Sequence, residues 1–284
     1  MKAQERACCF TCEGEHLVGI LHPVDRPSDL FVLIVVGGPQ YRIGAHRQFV
    51  DLARRLATSG VPAMRFDYRG LGDATGELAG FEAASAYIRA AIDAGVTETG
   101  ARRVVLWGLC DAASAISFYA ATDTRVAGVV LANPWVRTEA GAAQARLKTY
   151  YRRKLVSRHF LDKLLKGEVH LRAALGGLAK SLQAALGLSG RDKAAEDTNL
   201  PARMAQGLAR FRRPVLILLS DHDLTADEFR QVAAGRKWRR AVGRRRRGYT
   251  TVNLTEADHT FSQSGNHEAV AAATRRWLET TVLQ

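Results

Sequence analysis

The stretch 104–109 (VVLWGL), followed by Cys110 and a run of small residues, constrains the fold of this chain more than any other feature. An apolar run of this kind is typical of a buried strand, and the small residues behind it predict a helix. Cys110 therefore stands at the apex of a sharp turn. Gly108 and Ala112, two residues before and after it, let strand and helix approach closely. A helix N-terminus at this point favours the thiolate form of Cys110.

The alternative interpretation of Cys110 is a buried core cysteine behind a strand, because free cysteine is among the residues most often buried. The other cysteines, Cys8, Cys9 and Cys12, lie too close together for a disulfide framework. Cys9 and Cys12 have the spacing of a redox motif, but no second Cys or His pair accompanies them, and we predict that they pack in a strand. Without a disulfide framework or an apolar leader behind Met1, a reducing cytoplasm is the expected compartment.

Apolar runs alternate with stretches of helical spacing along most of the chain. Strands are predicted at 8–12, 16–22, 30–36, 61–66, 103–109, 126–132, 214–219 and 249–254, and helices at 46–59, 81–94, 111–121, 225–238 and 266–280. This alternation predicts an α/β protein with a mostly parallel sheet and helices on both faces. Residues 136–213 lack a convincing strand and are predicted to form a helical cap, inserted into a core built from 1–135 and 214–284. No apolar run reaches the length of a transmembrane helix.

Positive charge is concentrated in two parts of the chain, whose net charge is +13. The predicted cap holds 17 Lys and Arg against 6 Asp and Glu, and the run from Arg236 to Arg247 holds 8 Lys and Arg with no acid. Such segregation suits an anionic membrane surface or an anionic polymer. The alternative is a solvated basic surface without a partner. Nucleic acid is not the expected partner, because no binding motif accompanies the charge and aromatic residues make up only 7% of the chain.

Polar residues follow three of the predicted strands directly. Cys110 follows one, Asp221 and Asp223 follow the next, and His259 follows the last. Because the carboxyl ends of parallel strands meet at one edge of a sheet, we expect these side chains to lie together. A thiol nucleophile needs a base to accept its proton, and the base needs a group to orient it. His259 is the candidate base. Its rival His222 lies beside the two acids and would pair poorly with Cys110.

The loop after the predicted strand 30–36 is the candidate source of an oxyanion hole. Such a hole needs two backbone N–H groups, and the first would come from Asp111, directly after the nucleophile. Pro39 has no N–H, so the second would come from Gly38 or Gln40. The alternative is that the glycines of this loop form a plain tight turn.

Four further residues are candidates for substrate binding at the mouth of the pocket: Arg42, His46, Trp135 and Arg137. Arg42 and His46 follow the oxyanion loop and would bind a carboxylate or phosphate. A solvated helix start explains these two residues equally well. Trp135 and Arg137 would open the predicted cap.

With these residues in place, the chain resembles the α/β-hydrolase superfamily over nearly its whole length. The order of nucleophile, acid and histidine is that of the family, and Ser220 fills the turn position from which its acid is counted, which selects Asp223. The triad Cys110, Asp223 and His259 is similar to that of dienelactone hydrolases. The stretches VVGGPQYRIGAHRQF, RFDYRGLGD, VVLWGLCDAASA and LANPWVRTEAG look like the exosortase A system-associated hydrolase type 1 family, whose members are encoded with bacterial exopolysaccharide genes.

The resemblance implies a bacterial cytoplasmic hydrolase or acyltransferase linked to surface polysaccharide. Cys110 would attack an ester or thioester of a small-molecule or glycan-linked acyl substrate, with no cofactor and no metal. The basic cap and the run 236–247 would hold the enzyme at the inner membrane. The alternative is a catalytically silent protein of the same fold that docks on an anionic membrane or polymer surface.

Overall fold

The structure is a computed structural model that describes residues 5–38, 40–78, 80–136, 200–243, 248–263 and 265–283. Its strands are β1 (Arg6–Cys12), β2 (Glu15–His22), β3 (Leu30–Val35), β4 (Ala63–Phe66), β5 (Arg103–Leu109), β6 (Val126–Ala132), β7 (Val215–Ser220) and β8 (Tyr249–Leu254). The α-helices described are α1 (Gln48–Thr58), α2 (Ser85–Thr99), α3 (Asp111–Tyr119), α4 (Leu200–Arg210), α5 (Leu224–Ala234), α6 (Arg236–Val242) and α7 (Asn266–Trp277).

The eight strands form one sheet in the order β1-β2-β4-β3-β5-β6-β7-β8. The hairpin β1–β2 is antiparallel and also pairs antiparallel with β4. All pairings from β4 through β3 to β8 are parallel. The prediction of a mostly parallel sheet is therefore confirmed, and the carboxyl ends of β3, β5, β6, β7 and β8 meet along one edge.

Both faces of the sheet are covered, as a strand that is apolar at every position requires. All six residues of β3 are buried. Val32 and Ile34 belong to a core cluster with Phe49 and Leu56 of α1 and Trp277 of α7. Since side chains alternate along a strand, Phe31 points to the opposite face.

On that opposite face, Phe31 packs against α2. This contact explains why α2 extends beyond the end of the predicted helix 81–94. A Cβ atom at Gly95 would come within 2.4 Å of the Phe31 ring. Gly95 is thus a point of close contact inside the helix and not its end, and α2 continues to Thr99, where Gly100 terminates it with a φ of 71°. The predicted helix 225–238 differs as well, because Gly235 is extended and separates α5 from α6.

By its internal contacts, the chain divides into two units. The first consists of Met1–Trp135 and Pro201–Gln284, and the second is Val136–Leu200. Nearly all of α4 therefore belongs with the sheet, although the predicted cap extended to residue 213. The reason is local packing: Met204 and Leu208 are fully buried, and a Cβ at Gly207 would lie 1.9 Å from the carbonyl oxygen of Ser117 in α3. Residues 137–199 of the predicted cap lie outside the described residues. Among the residues described, no helix has the length and apolar character needed to span a bilayer.

Candidate active site

Cys110 lies at the sharp turn between β5 and α3. Its φ of 62° and ψ of −123° are unusual for a residue with a side chain, and such strain is characteristic of a nucleophile turn. Three backbone hydrogen bonds hold the turn. The Cys110 N–H donates to the Ala132 carbonyl at 2.9 Å, and the Cys110 carbonyl accepts from the N–H groups of Ala113 and Trp135 at 3.1 Å each. The end of β6 thus fixes the conformation of the turn.

Small residues around the turn are required by the close crossing of strand and helix. A Cβ atom at Gly108 would meet the Ile116 side chain at 2.6 Å and the Ala112 carbonyl carbon at 2.9 Å. Ala112 is itself fully buried. The crowding explains why only glycine fits two residues before Cys110, and it agrees with the role that the sequence predicts for both positions.

Asp223 and His259 lie in contact although 36 residues separate them. The Nδ1 atom of His259 is 2.8 Å from Oδ2 of Asp223. Asp223 caps α5, where its carboxylate accepts from the N–H groups of Thr225 at 3.0 Å and Ala226 at 3.2 Å. The carboxylate is 5% exposed, so its orientation is fixed by the helix before it meets the histidine.

The other ring nitrogen of His259, Nε2, is not used by Asp223, and Cys110 lies close enough to the imidazole to affect its pKa. Burial acts to lower the pKa of His259, but its interactions with Asp223 and Cys110 outweigh that effect and raise this pKa to about 10. The folded state therefore favours the protonated imidazole, which is able to donate a proton.

The rival acid and base lie elsewhere. Asp221 forms an ion pair with Arg230. His222 is half-exposed, and its Nδ1 atom lies 3.9 Å from Oε2 of Glu256. The structure therefore brings together Cys110, His259 and Asp223, but neither Asp221 nor His222.

Asn133 is a residue of this site that the sequence analysis missed. Its side chain is fully buried, donates to Ser220 Oγ at 2.9 Å and to the His259 carbonyl at 3.3 Å, and accepts from the Ser220 N–H at 2.8 Å. It thereby ties the ends of β6 and β7 to the histidine loop. Asp258 stabilises the same loop from within, by accepting from the N–H groups of Thr260 and Ser262. The only sequence signal for Asn133 is a polar residue directly after a buried strand.

The predicted oxyanion loop packs against the nucleophile turn. The Gly38 N–H donates to Oδ2 of Asp111 at 2.8 Å. A Cβ atom at Gly37 would come within 2.1 Å of Asp111 Oδ1 and 2.7 Å of the Ala112 nitrogen. Of the two candidate loop donors, Gly38 thus has its N–H engaged. Gln40 uses its side-chain oxygen to accept from the Ala45 N–H at 3.3 Å.

The Arg42 side chain is already bound by two carboxylates, those of Asp67 and Asp73, and is 14% exposed. A substrate anion would have to compete with both of them. His46 is exposed and lies close enough to Asp258 for its charge to help lower the pKa of that carboxyl.

Trp135 is half-buried, and its backbone is bound to the nucleophile turn, with its carbonyl accepting from Ser114 Oγ. Arg137 lies outside the described residues.

The N-terminal cysteines contribute nothing to this site. Cys8 and Cys12 are buried on one face of β1, and burial raises the pKa of both thiols. Cys9 is exposed on the opposite face, so Cys9 and Cys12 do not form a redox pair. Within the described ranges, no three His, Cys, Asp or Glu side chains cluster closely enough to hold a metal ion.

Comparisons with solved structures show that the chain shares its fold with several esterases and related hydrolases. The esterase Pf2001 of Pyrococcus furiosus superposes with a TM-score of 0.64 at 14% identity, covering 98% of this chain and 93% of that one. A dienelactone hydrolase from Anabaena variabilis gives 0.63 at 14% identity, covering 99% and 100%. Est1E of Butyrivibrio proteoclasticus, solved with ferulic acid, gives 0.62 at 14% identity, covering 97% and 99%. At these identities the likeness shows a shared fold.

Among curated protein sequences, none matches this chain significantly. The family model of the alpha/beta hydrolase family matches residues 32–273, which include the nucleophile turn, Asp223 and His259. The match covers most of the chain, and the sheet order and strained turn agree with it. The chain therefore belongs to the alpha/beta hydrolase family.

Proposed function

We propose that this protein transfers acyl groups from an ester or thioester to water or to a hydroxyl group, through a covalent intermediate on Cys110. His259 is the acid and base of the reaction, and Asp223 orients it. The observation that carries the proposal is the hydrogen bond of 2.8 Å between Asp223 and His259, next to Cys110 on its strained turn. An acid that orients a histidine near a candidate nucleophile is the arrangement that nucleophilic acyl transfer needs.

In the first half of the reaction, the Cys110 thiolate attacks the carbonyl carbon and forms a carbon–sulfur bond. The carbonyl oxygen becomes an oxyanion, which backbone N–H groups of the turn and of the loop after β3 stabilise. The bond from the carbonyl carbon to the leaving group then breaks, and the His259 imidazolium donates its proton to that group. The product is an acyl-thioester on Cys110.

In the second half, water or a hydroxyl group attacks the thioester carbonyl while neutral His259 accepts its proton. The carbon–sulfur bond breaks, and the Cys110 thiolate and the His259 imidazolium are restored. The sequence resemblance to the exosortase-associated family supports a small-molecule or glycan-linked acyl substrate of surface-polysaccharide synthesis.

In addition to acyl transfer, we propose that the basic surface of α6 contacts an anionic bilayer. Arg236, Lys237, Arg239 and Arg240 are exposed on this helix, while Trp238 anchors it in the core. Within the described part of the chain, none of the four cations forms an ion pair. Arg244 to Arg247 continue the run in sequence but lie outside the described residues.

The test is intact-protein mass spectrometry after incubation with p-nitrophenyl acetate, with wild type, Cys110→Ala, His259→Ala and Cys9→Ala. We expect one acetyl group on the wild type and on Cys9→Ala. The Cys9→Ala variant is the matched control because it removes an exposed thiol outside the candidate site. We expect none on Cys110→Ala, and slow addition on His259→Ala.

Acetylation that is equal in Cys110→Ala and wild type would contradict the proposal. No adduct and no release of p-nitrophenolate from the wild type, across a series of p-nitrophenyl esters and thioesters, would favour a catalytically silent binding protein instead.

A further inference from the structure

Asp111 is the one acidic residue of the nucleophile turn, and the proposed reaction gives its side chain no task. Only its backbone N–H is a candidate oxyanion donor. The carboxyl group is nevertheless held in a specific place. Oδ2 accepts the Gly38 N–H at 2.8 Å, across 73 residues of sequence. Oδ1 is buried and has no hydrogen-bond partner.

The loop after β3 is shaped to fit this carboxyl group. Gly37 leaves no space for a side chain, because an added Cβ would lie 2.1 Å from Asp111 Oδ1 and 2.9 Å from the Leu109 carbonyl oxygen. Gly38 adopts a φ of 64°, which directs its N–H toward Oδ2 and which residues with a Cβ rarely adopt. Two consecutive glycines thus serve the contact between the loop and Asp111.

Asp111 also belongs to the electrostatics of the site. Burial raises the pKa of its carboxyl group, while the N–H groups of Gly38, Ala112 and Asp111 itself and the charge of His259 act to lower it. The negative charge of Asp111 in turn contributes, after burial, to the raised pKa of Tyr68. The carboxylate therefore lies within range of the catalytic imidazolium, at the junction of the turn and the loop.

We propose that Asp111 is a positioning residue for acyl transfer: its side chain fixes the loop after β3 to the nucleophile turn and so sets the geometry of the oxyanion hole. This inference rests on the proposed function, since it assigns Asp111 a task in the acylation of Cys110. Without the carboxyl group, the loop loses its hydrogen bond to the turn. The second oxyanion donor, a backbone N–H group of this loop, is then no longer held at a fixed distance from Cys110.

Two reactions of Cys110 separate this role from a merely structural one. Acylation by p-nitrophenyl acetate passes through an oxyanion, whereas alkylation by iodoacetamide displaces iodide without one. The burst of p-nitrophenolate and the rate of alkylation are measured on wild type, Asp111→Ala and Asp111→Asn. Asp111→Ser, whose side chain is one atom shorter, provides a second truncation in case Asp111→Ala does not fold. Glu268→Gln, in the first turn of α7, controls for loss of an acid near a helix N-terminus.

We expect Asp111→Ala and Asp111→Ser to acylate about 100-fold more slowly than wild type, the size of effect that follows loss of one oxyanion donor. Their alkylation rates should stay close to the wild-type rate. Asp111→Asn should retain most of the acylation rate, because its amide oxygen still accepts the Gly38 N–H. Glu268→Gln should acylate like the wild type.

Three results would overturn the inference. Undiminished acylation in the truncated variants would show that the contact is dispensable. Faster acylation in both Asp111→Ala and Asp111→Asn would show that the carboxylate blocks the oxyanion hole. Equal losses of acylation and alkylation would show a general effect on the fold. Absence of acylation in every protein, wild type included, would instead reject the function on which the inference rests.

Discussion

At the scale of single residues, one hydrogen bond decides which acid serves the candidate active site. Asp221 and Asp223 both follow β7, and both are close in sequence to a histidine. Asp223 reaches Nδ1 of His259 at 2.8 Å because it caps α5, and the two N–H groups of that helix orient its carboxylate. Asp221, which lacks this support, pairs with Arg230.

A pair of matched variants tests this assignment. We expect Asp223→Asn to slow acylation of Cys110 by about 10³-fold or more, because an amide no longer stabilises the imidazolium that forms the pair with the thiolate. Asp221→Asn makes the same chemical change two residues away and should leave the rate unchanged. Burst kinetics with p-nitrophenyl acetate measure both. Similar losses in the two variants would argue against Asp223 as the orienting acid.

The raised pKa of His259 predicts a dependence of stability on pH. This pKa is about 10 in the folded protein, against an ordinary value of 6.5, so the folded state favours the protonated imidazole. The resulting stabilisation is fully present below about pH 6.5 and is lost as the pH rises toward 10. In urea unfolding, the free-energy difference between wild type and His259→Gln should therefore be largest near pH 6 and shrink toward pH 10. A difference that grows with pH would contradict the imidazolium assignment.

At the scale of elements, close contacts at small residues determine how helices lie on the sheet. Gly95 in α2 faces Phe31 in β3, Gly207 in α4 faces Ser117 in α3, and Gly108 in β5 faces α3. Each contact removes space that a side chain would need. A glycine inside a helix lowers its intrinsic stability, so these positions indicate that packing outweighs helix propensity.

Gly95→Ala measures that balance. Alanine favours the helix by about 1 kcal/mol over glycine. The added Cβ, however, lies 2.4 Å from the Phe31 ring, and overpacking of a core costs about 1–3 kcal/mol. We expect a net loss of about 1 kcal/mol in the free energy of unfolding, measured with urea. Gly80→Ala is the control, because its added Cβ meets no atom within 4 Å. A stabilised Gly95→Ala protein would show that Phe31 yields at little cost.

At the scale of the whole molecule, four exposed cations lie on a helix that contributes no residue to the candidate active site. Arg236, Lys237, Arg239 and Arg240 project from α6, which is held to the core by Trp238. An anionic bilayer attracts such a surface by about 1 kcal/mol for each cation near it. The proposed chemistry at Cys110 and the proposed contact with a membrane thus use different parts of the chain.

Vesicle sedimentation tests the membrane contact. The variant Lys237→Glu with Arg240→Glu should bind phosphatidylglycerol-containing vesicles at least about tenfold more weakly than the wild type. The variant Arg275→Glu with Arg276→Glu changes the net charge equally but on α7, and it should bind like the wild type. Equal weakening by both variants would indicate a general charge effect, and binding to neutral vesicles would exclude an electrostatic contact.

Local residue patterns are enough to predict which segments become strands and where the nucleophile turn lies. The pattern of residues 249–254 predicts a strand with the observed bounds, and the sharp turn explains why Gly108 and Ala112 are small. These features are local, because a continuous apolar run needs burial on both faces and a sharp turn needs small neighbours. The alternation of strands and helices then predicted a mostly parallel sheet.

The hydrogen bonds at the edge of that sheet depend on the packing of distant elements. The family resemblance already selects Asp223, but its bond to His259, the bridge made by Asn133 and the contact between Gly38 and Asp111 join residues 36, 87 and 73 positions apart. Sequence patterns report the local conformation and burial of a segment. A hydrogen bond depends on distances of a few tenths of an ångström and on direction, and these arise only when distant elements pack together.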